Sequence, residues 1–209
     1  MVTNRWIAGV ILALGISANG AVAHDEGGAA KSDDFTLDQV FSPGLHEFSA
    51  GTGIMWSPIG STIARPTVNY VVGYMQVGYM LNELWMSGFW RNNYEIVLEG
   101  FGAGIYQNTG TYIAGTTLWL RHNLVPEGWR VTPFAEIGLG FVSMDIDHRY
   151  DGHNFNFNLD AAGGFRYFIK PKLSLNAEFK YQHISNANTG SHNVGINAIG
   201  PLLSVSWLF

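Results

Sequence analysis

The feature that most constrains this chain is an alternation of apolar and polar side chains that recurs about eight times after residue 45. A two-residue period sends successive side chains to opposite faces of an extended backbone, so each run reads as a strand with one greasy and one polar face. The runs lie near residues 46–56, 68–81, 93–106, 112–121, 130–143, 154–169, 173–186 and 194–209. Breaks such as "QNTG", "PEG", "YDGH" and "KPK" separate them and carry the glycine, asparagine and proline of turns. In the seventh run, Leu173, Leu175, Ala177, Phe179 and Tyr181 alternate with Ser174, Asn176, Glu178, Lys180 and Gln182. No stretch after residue 24 is apolar for the roughly 20 residues that a spanning helix needs. The expectation is an all-β protein, an eight-stranded antiparallel barrel over residues 46–209.

Period two does not say which face points inward. A soluble lipocalin-type barrel turns its greasy face to the core, whereas an outer-membrane barrel turns it to lipid. Two features favour the membrane. The polar faces carry Glu95, Glu99, Arg121, Glu136, Asp160, Arg166, Glu178 and Lys180, enough charge of both signs for a mutually paired interior. Aromatics such as Tyr167, Trp207 and Phe209 fall near run ends, where interface girdles belong. The ending "PLLSVSWLF", an alternating strand closed by Phe209, also resembles the C-terminal signature of bacterial outer-membrane barrels.

The other end fits export. "MVTNR" is a short basic start, "WIAGVILALGI" an apolar run and "AVA" a small-residue cleavage site before His24, so residues 1–23 are expected to be a signal peptide. An uncleaved anchor is the alternative. Residues 24–45 are polar, with Gly, Asp and one Pro, and suit a periplasmic N-terminal segment or plug. A net charge of −5 offers no footprint for nucleic acid, and the absence of cysteine excludes disulfides and thiolate chemistry. With both termini periplasmic, the loops after the first, third, fifth and seventh strands face outward.

Within that frame, "KYQHISNANTGSHNVGIN" breaks the pattern. His183 and Ser185 take positions that the alternation reserves for lipid-facing side chains, at the outer end of the seventh strand. Residues i and i+2 share a face with Cα atoms roughly 6.5–7 Å apart. A hairpin symmetric about Gly190 sets His183 opposite Asn197, and directly paired residues have Cβ atoms about 5 Å apart. The three side chains then converge outside the barrel. Ser185 is a weak nucleophile until His183 takes its proton, and His183 needs a third group, here Asn197, to hold its tautomer. The backbone N–H or side-chain amide of Asn186 is the candidate oxyanion donor. Polar residues at a membrane interface are also common without chemistry.

"HISNANTGSHNVGIN" resembles the signature of the lipid A 3-O-deacylase family, the PagL type: His-x-Ser-Asn, a short Gly/Asn loop, then Asn-x-Gly-x-(Glu or Asn). The resemblance is close over residues 181–199 and loose over the remaining barrel. It implies hydrolysis of the ester holding the 3-linked hydroxyacyl chain of lipid A in lipopolysaccharide, in the bacterial outer membrane. Ser185 would be the nucleophile, His183 the base, Asn186 an oxyanion donor and Asn197 the third member, with no metal or cofactor. Asn197 departs from the glutamate of family members described as deacylases.

The alternative is a non-catalytic structural or adhesive barrel, which has no need of His183, Ser185 and Asn197 facing one point. An acyltransferase would need an acyl pocket inside the barrel, against which the inward charges argue. The sequence leaves the oligomeric state open, a homodimer included. Asp145, Asp147, His148, Asp151 and His153 cluster in "DIDHRYDGH", an outer loop that reads as solvated or as a cation bridge. His46, His122 and His192 read as structural or loop residues.

Overall fold

The computed structural model describes residues 37–57, 67–107 and 109–209; the expected signal peptide, residues 1–23, lies outside them. Eight strands follow in chain order: β1 (His46–Met55), β2 (Asn69–Met80), β3 (Asn92–Gln107), β4 (Tyr112–Leu124), β5 (Val131–Met144), β6 (Phe155–Lys170), β7 (Leu173–Ser185) and β8 (Ile196–Leu208). Each pairs antiparallel with its neighbours, and β1 pairs with β8 from Glu47↔Leu208 to Gly53↔Leu202, which closes the barrel. The chain is therefore the expected eight-stranded antiparallel barrel. β4 runs three residues beyond its expected end, because Arg121, His122, Asn123 and Leu124 keep the alternation and continue the ladder to β3 and β5.

Burial decides which face is which. Ile137 and Leu139 on β5 are each 64% exposed, whereas Glu95 is 0% and Arg166 1% exposed. Apolar side chains form the outer wall, and ionisable side chains of the strands such as Glu95 and Arg166 are inside. An outer surface of this kind is stable in hydrocarbon and a liability in water.

Three cations organise the interior. Arg121 meets Glu136 at 2.5 Å and both Glu47 and Glu95 at 3.5 Å. Arg166 meets Glu47 at 2.6 Å and Glu95 at 3.0 Å, and Lys180 meets Glu99 at 2.9 Å and Asp160 at 3.2 Å. Glu178 lies in the same band with one carboxylate oxygen unpartnered. Glu47, from the short polar face of β1, completes a network that the other charges only partly announced.

Apolar layers close the band at both ends. At the end where the chain enters, Leu37, Val40 and Phe41 pack against Val125, Phe168 and Leu208. Phe41 meets Phe168 edge-on at 5.8 Å, and Arg91 pairs with Asp38 at 2.6 Å. Residues 37–45 thus sit as a plug in this mouth. At the opposite end Tyr70, Ile113, Met144, Ile184 and Ile196 belong to a second cluster, in which Ile184 and Ile196 pair where β7 ends and β8 begins.

Removing one partner from a buried ionic network leaves the others desolvated and unpaired, at a cost of about 3–5 kcal/mol. Arg121→Met is therefore expected to lower the temperature at which the folded barrel converts to the unfolded band on unboiled gels. Arg149→Met, which removes an exposed pair with Asp147, should leave that temperature within a degree or two of the parent.

Candidate active site

β7 delivers Tyr181, His183 and Ser185 to the outer face in steps of two, each half-buried. β8 delivers Asn197 to the same face. The register sets His183 opposite Asn197 and Tyr181 opposite Ile199. On the other flank, β6 sets Leu159 opposite His183 and Phe157 opposite Ser185.

His183 Nδ1 lies 2.7 Å from Asn197 Oδ1. A carbonyl oxygen only accepts, so Nδ1 donates, and in the neutral ring this leaves Nε2 as the acceptor nitrogen. Tyr181 Oη donates to the same Asn197 Oδ1 at 2.9 Å. The two donors fill both lone pairs of that oxygen. Ser185 stands outside this hydrogen-bonded trio, half-exposed at the end of its strand. Gly195, at φ +67°, keeps the space between them open: a Cβ there would lie 3.5 Å from His183 Cε1 and 3.7 Å from Ser185 Cβ.

The loop after Ser185 is fixed by Asn186. Ala187 (φ 53°) and Asn188 (φ 62°) form the centre of a type I′ turn that Thr189 N–H closes onto the Asn186 carbonyl at 3.0 Å. Asn186 is fully buried; its backbone N–H donates to Asn193 Oδ1 at 3.1 Å and its Nδ2 to the His192 carbonyl at 2.6 Å. The backbone N–H of Asn186 and one N–H of its side-chain amide are thus engaged inside the loop, which the residue clamps. The β5–β6 loop braces it, through His153 Nε2 and Thr189 Oγ1 at 3.1 Å and Val194 N–H to the Tyr150 carbonyl at 2.9 Å.

Beside Ser185, Phe157 belongs to a cluster with Phe141 and Phe155, ring centroids 5.5–5.8 Å apart. The nucleophile candidate therefore borders an apolar aromatic platform. The Tyr181 bond and this platform were not evident from the sequence. Both residues obey the alternation and so look like ordinary lipid-facing side chains.

The remaining candidates are accounted for locally. Asp145 accepts from Thr111 Oγ1 and from the N–H groups of Thr111 (2.7 Å) and Tyr112 (2.9 Å). Asp147 pairs with Arg149, and His148 Nε2 meets Asn154 Oδ1 at 2.7 Å. The Asp151 side chain lies outside the described ones. Among the described residues, no three His, Asp or Glu side chains converge as a metal site. His46 packs against Tyr79 and Phe209, His122 against Tyr94, and His192 bonds Ser191.

The family model for lipid A 3-O-deacylase (PagL) matches residues 69–206. The chain belongs to the PagL family. The crystal structure of the outer membrane enzyme PagL superposes with a TM-score of 0.53 at 14% identity, covering 76% of this chain and 97% of that one. Neisserial surface protein A (NspA) gives 0.56 at 14% identity, over 78% and 96%. The N-terminal β-barrel domain of Pseudomonas aeruginosa OprF gives 0.52 at 15%, over 80% and 98%. These likenesses show the fold, and family and fold together place the chain in the bacterial outer membrane. No curated protein matches it.

Asp145 supplies a pH test of the bracing loops. Its slight desolvation works to raise the carboxyl, but the Thr111 hydroxyl and the N–H groups of Tyr112 and Thr111 outweigh it and hold it below the usual range. A lowered carboxyl stabilises the fold above its unfolded value and loses that contribution as pH falls through the folded one. Amide exchange at Thr111 and Tyr112 should stay protected at neutral pH and open on acidification. In Asp145→Asn the protection should be weaker at neutral pH and change little with acid.

Proposed function

We propose that this chain is an outer-membrane serine esterase that removes the 3-O-linked hydroxyacyl chain from lipid A. The observation that carries the reading is the 2.7 Å bond between His183 Nδ1 and Asn197 Oδ1, made on the lipid-facing side of the barrel. It leaves Nε2 basic, and it does so where an amphiphilic ester in the outer leaflet has access and a water-soluble one does not. Membership of the PagL family supports the same substrate.

In the proposed reaction, His183 Nε2 takes the proton of Ser185 as Oγ attacks the ester carbonyl. The tetrahedral intermediate collapses, His183 returns the proton to the departing sugar oxygen, and an acyl-Ser185 ester remains. Water, deprotonated by His183, then releases the hydroxy fatty acid and restores Ser185. Asn197 holds the ring throughout. It orients imidazole as the asparagine of Cys-His-Asn proteases does, and it stabilises imidazolium less than a carboxylate. Asn186 fixes the turn beyond Ser185 and is the candidate oxyanion donor, with its backbone N–H and one of its two Nδ2–H groups engaged by Asn193 Oδ1 and the His192 carbonyl. The chain of the departing acid lies against Phe157 and its neighbours.

Ser185→Ala and His183→Ala should each remove most of the hydrolysis of purified lipopolysaccharide while leaving a heat-modifiable barrel, since nucleophile and base act as one unit. Full activity in Ser185→Ala would overturn the mechanism, and a wild type without hydrolysis would favour a structural or adhesive barrel. Asn197→Leu should be badly impaired at every pH. Asn197→Glu should remain active, with the acid limb of its pH–rate profile moved to higher pH, because a neighbouring carboxylate favours the protonated ring that cannot act as base.

A further inference from the structure

Resting on that reading of the site, we propose that Tyr181 is a positioning residue, made necessary by the amide at position 197. A carboxylate has two equivalent oxygens, and either one accepts the proton on His183 Nδ1. An amide has a right end and a wrong end. With Oδ1 toward the ring, Nδ1 carries the proton and Nε2 is free to receive that of Ser185. With Nδ2 toward the ring, Nδ1 becomes an acceptor, the proton moves to Nε2, and the base is lost. The two orientations of Asn197 occupy nearly the same volume, so packing alone does not choose between them.

Tyr181 chooses. It is two residues before His183 on the same face of β7, and its hydroxyl donates to Asn197 Oδ1 at 2.9 Å. A phenol is a better donor than acceptor, because its oxygen lone pair is delocalised into the ring. It therefore prefers the oxygen end of the amide. The bond is made on a half-buried, lipid-facing wall, where water competes poorly and an unmade hydrogen bond is expensive. The ring itself is placed by the strand register, opposite Ile199 on β8 and Ala161 on β6. Those contacts are kept when the hydroxyl alone is removed.

The test is a double-mutant cycle with an independent spectroscopic readout. Tyr181→Phe should lower kcat on lipid A about five- to tenfold, the size of one hydrogen bond, with KM unchanged. In the Asn197→Glu background the same change should cost less than about twofold, because a carboxylate has no wrong end. Equal losses in both backgrounds, or no loss in the parent, would overturn the proposal. The second measurement is ¹⁵N NMR of histidine-labelled protein in micelles, with the His183 signals assigned by their loss in His183→Ala. The parent should show protonated Nδ1 and bare Nε2 at pH 8, and Tyr181→Phe should add a protonated Nε2 population. An unchanged tautomer in Tyr181→Phe contradicts the proposal even if the parent hydrolyses nothing. A changed tautomer in an inactive parent upholds the positioning role and refutes the esterase reading instead.

Discussion

Closure of the sheet is the constraint from which the rest follows. In hydrocarbon there is no water to satisfy backbone N–H and C=O groups, so a spanning sheet must pair its first strand with its last. Here the β1–β8 ladder does so, and His46 and Phe209 exchange backbone hydrogen bonds at its edge. A closed eight-stranded barrel has an interior narrow enough for side chains to fill. The inward-facing charged residues of the alternation are then held in one narrow band, where Arg121, Arg166 and Lys180 are threaded among the carboxylates.

The same constraint explains why the candidate site is outside. The buried charges that fill the interior argue against an acyl pocket there and favour a lipid site on the wall. Polar side chains on that wall are best tolerated near its outer edge and where they bond one another. Tyr181, His183 and Asn197 satisfy that requirement as a trio, while Ser185 borders phenylalanines that suit a fatty chain. The hinge of the arrangement is the loop between β7 and β8. Two left-handed residues, Ala187 and Asn188, reverse the chain tightly enough to keep Asn197 in register with His183.

The strands were legible because period two is a one-to-one record of a pleated wall, and the His183–Asn197 pairing followed from counting back and forth across one hairpin. What stayed hidden depends on distances between strands far apart in sequence. Glu47 reads as a lone acid until Arg121 and Arg166 reach it across the barrel. Phe41 sits in a polar leader, and only the open mouth of the barrel makes it a plug. The clamp that Asn186 makes was hidden because its partners, Asn193 and His192, fold back onto it through a turn whose conformation the sequence does not state. Tyr181 was concealed by conformity, since a tyrosine on the apolar face needs no explanation until its hydroxyl is seen to meet Asn197.

The most direct test is mass spectrometry of lipid A from cells lacking an endogenous deacylase and expressing either the wild-type chain or Ser185→Ala at equal outer-membrane levels. The account predicts that the wild type shifts lipid A down by the mass of one hydroxyacyl chain, with fragmentation placing the loss at the 3-position. The Ser185→Ala cells should retain the full acyl complement. Identical lipid A from the two strains, with both barrels folded in the outer membrane, would contradict it.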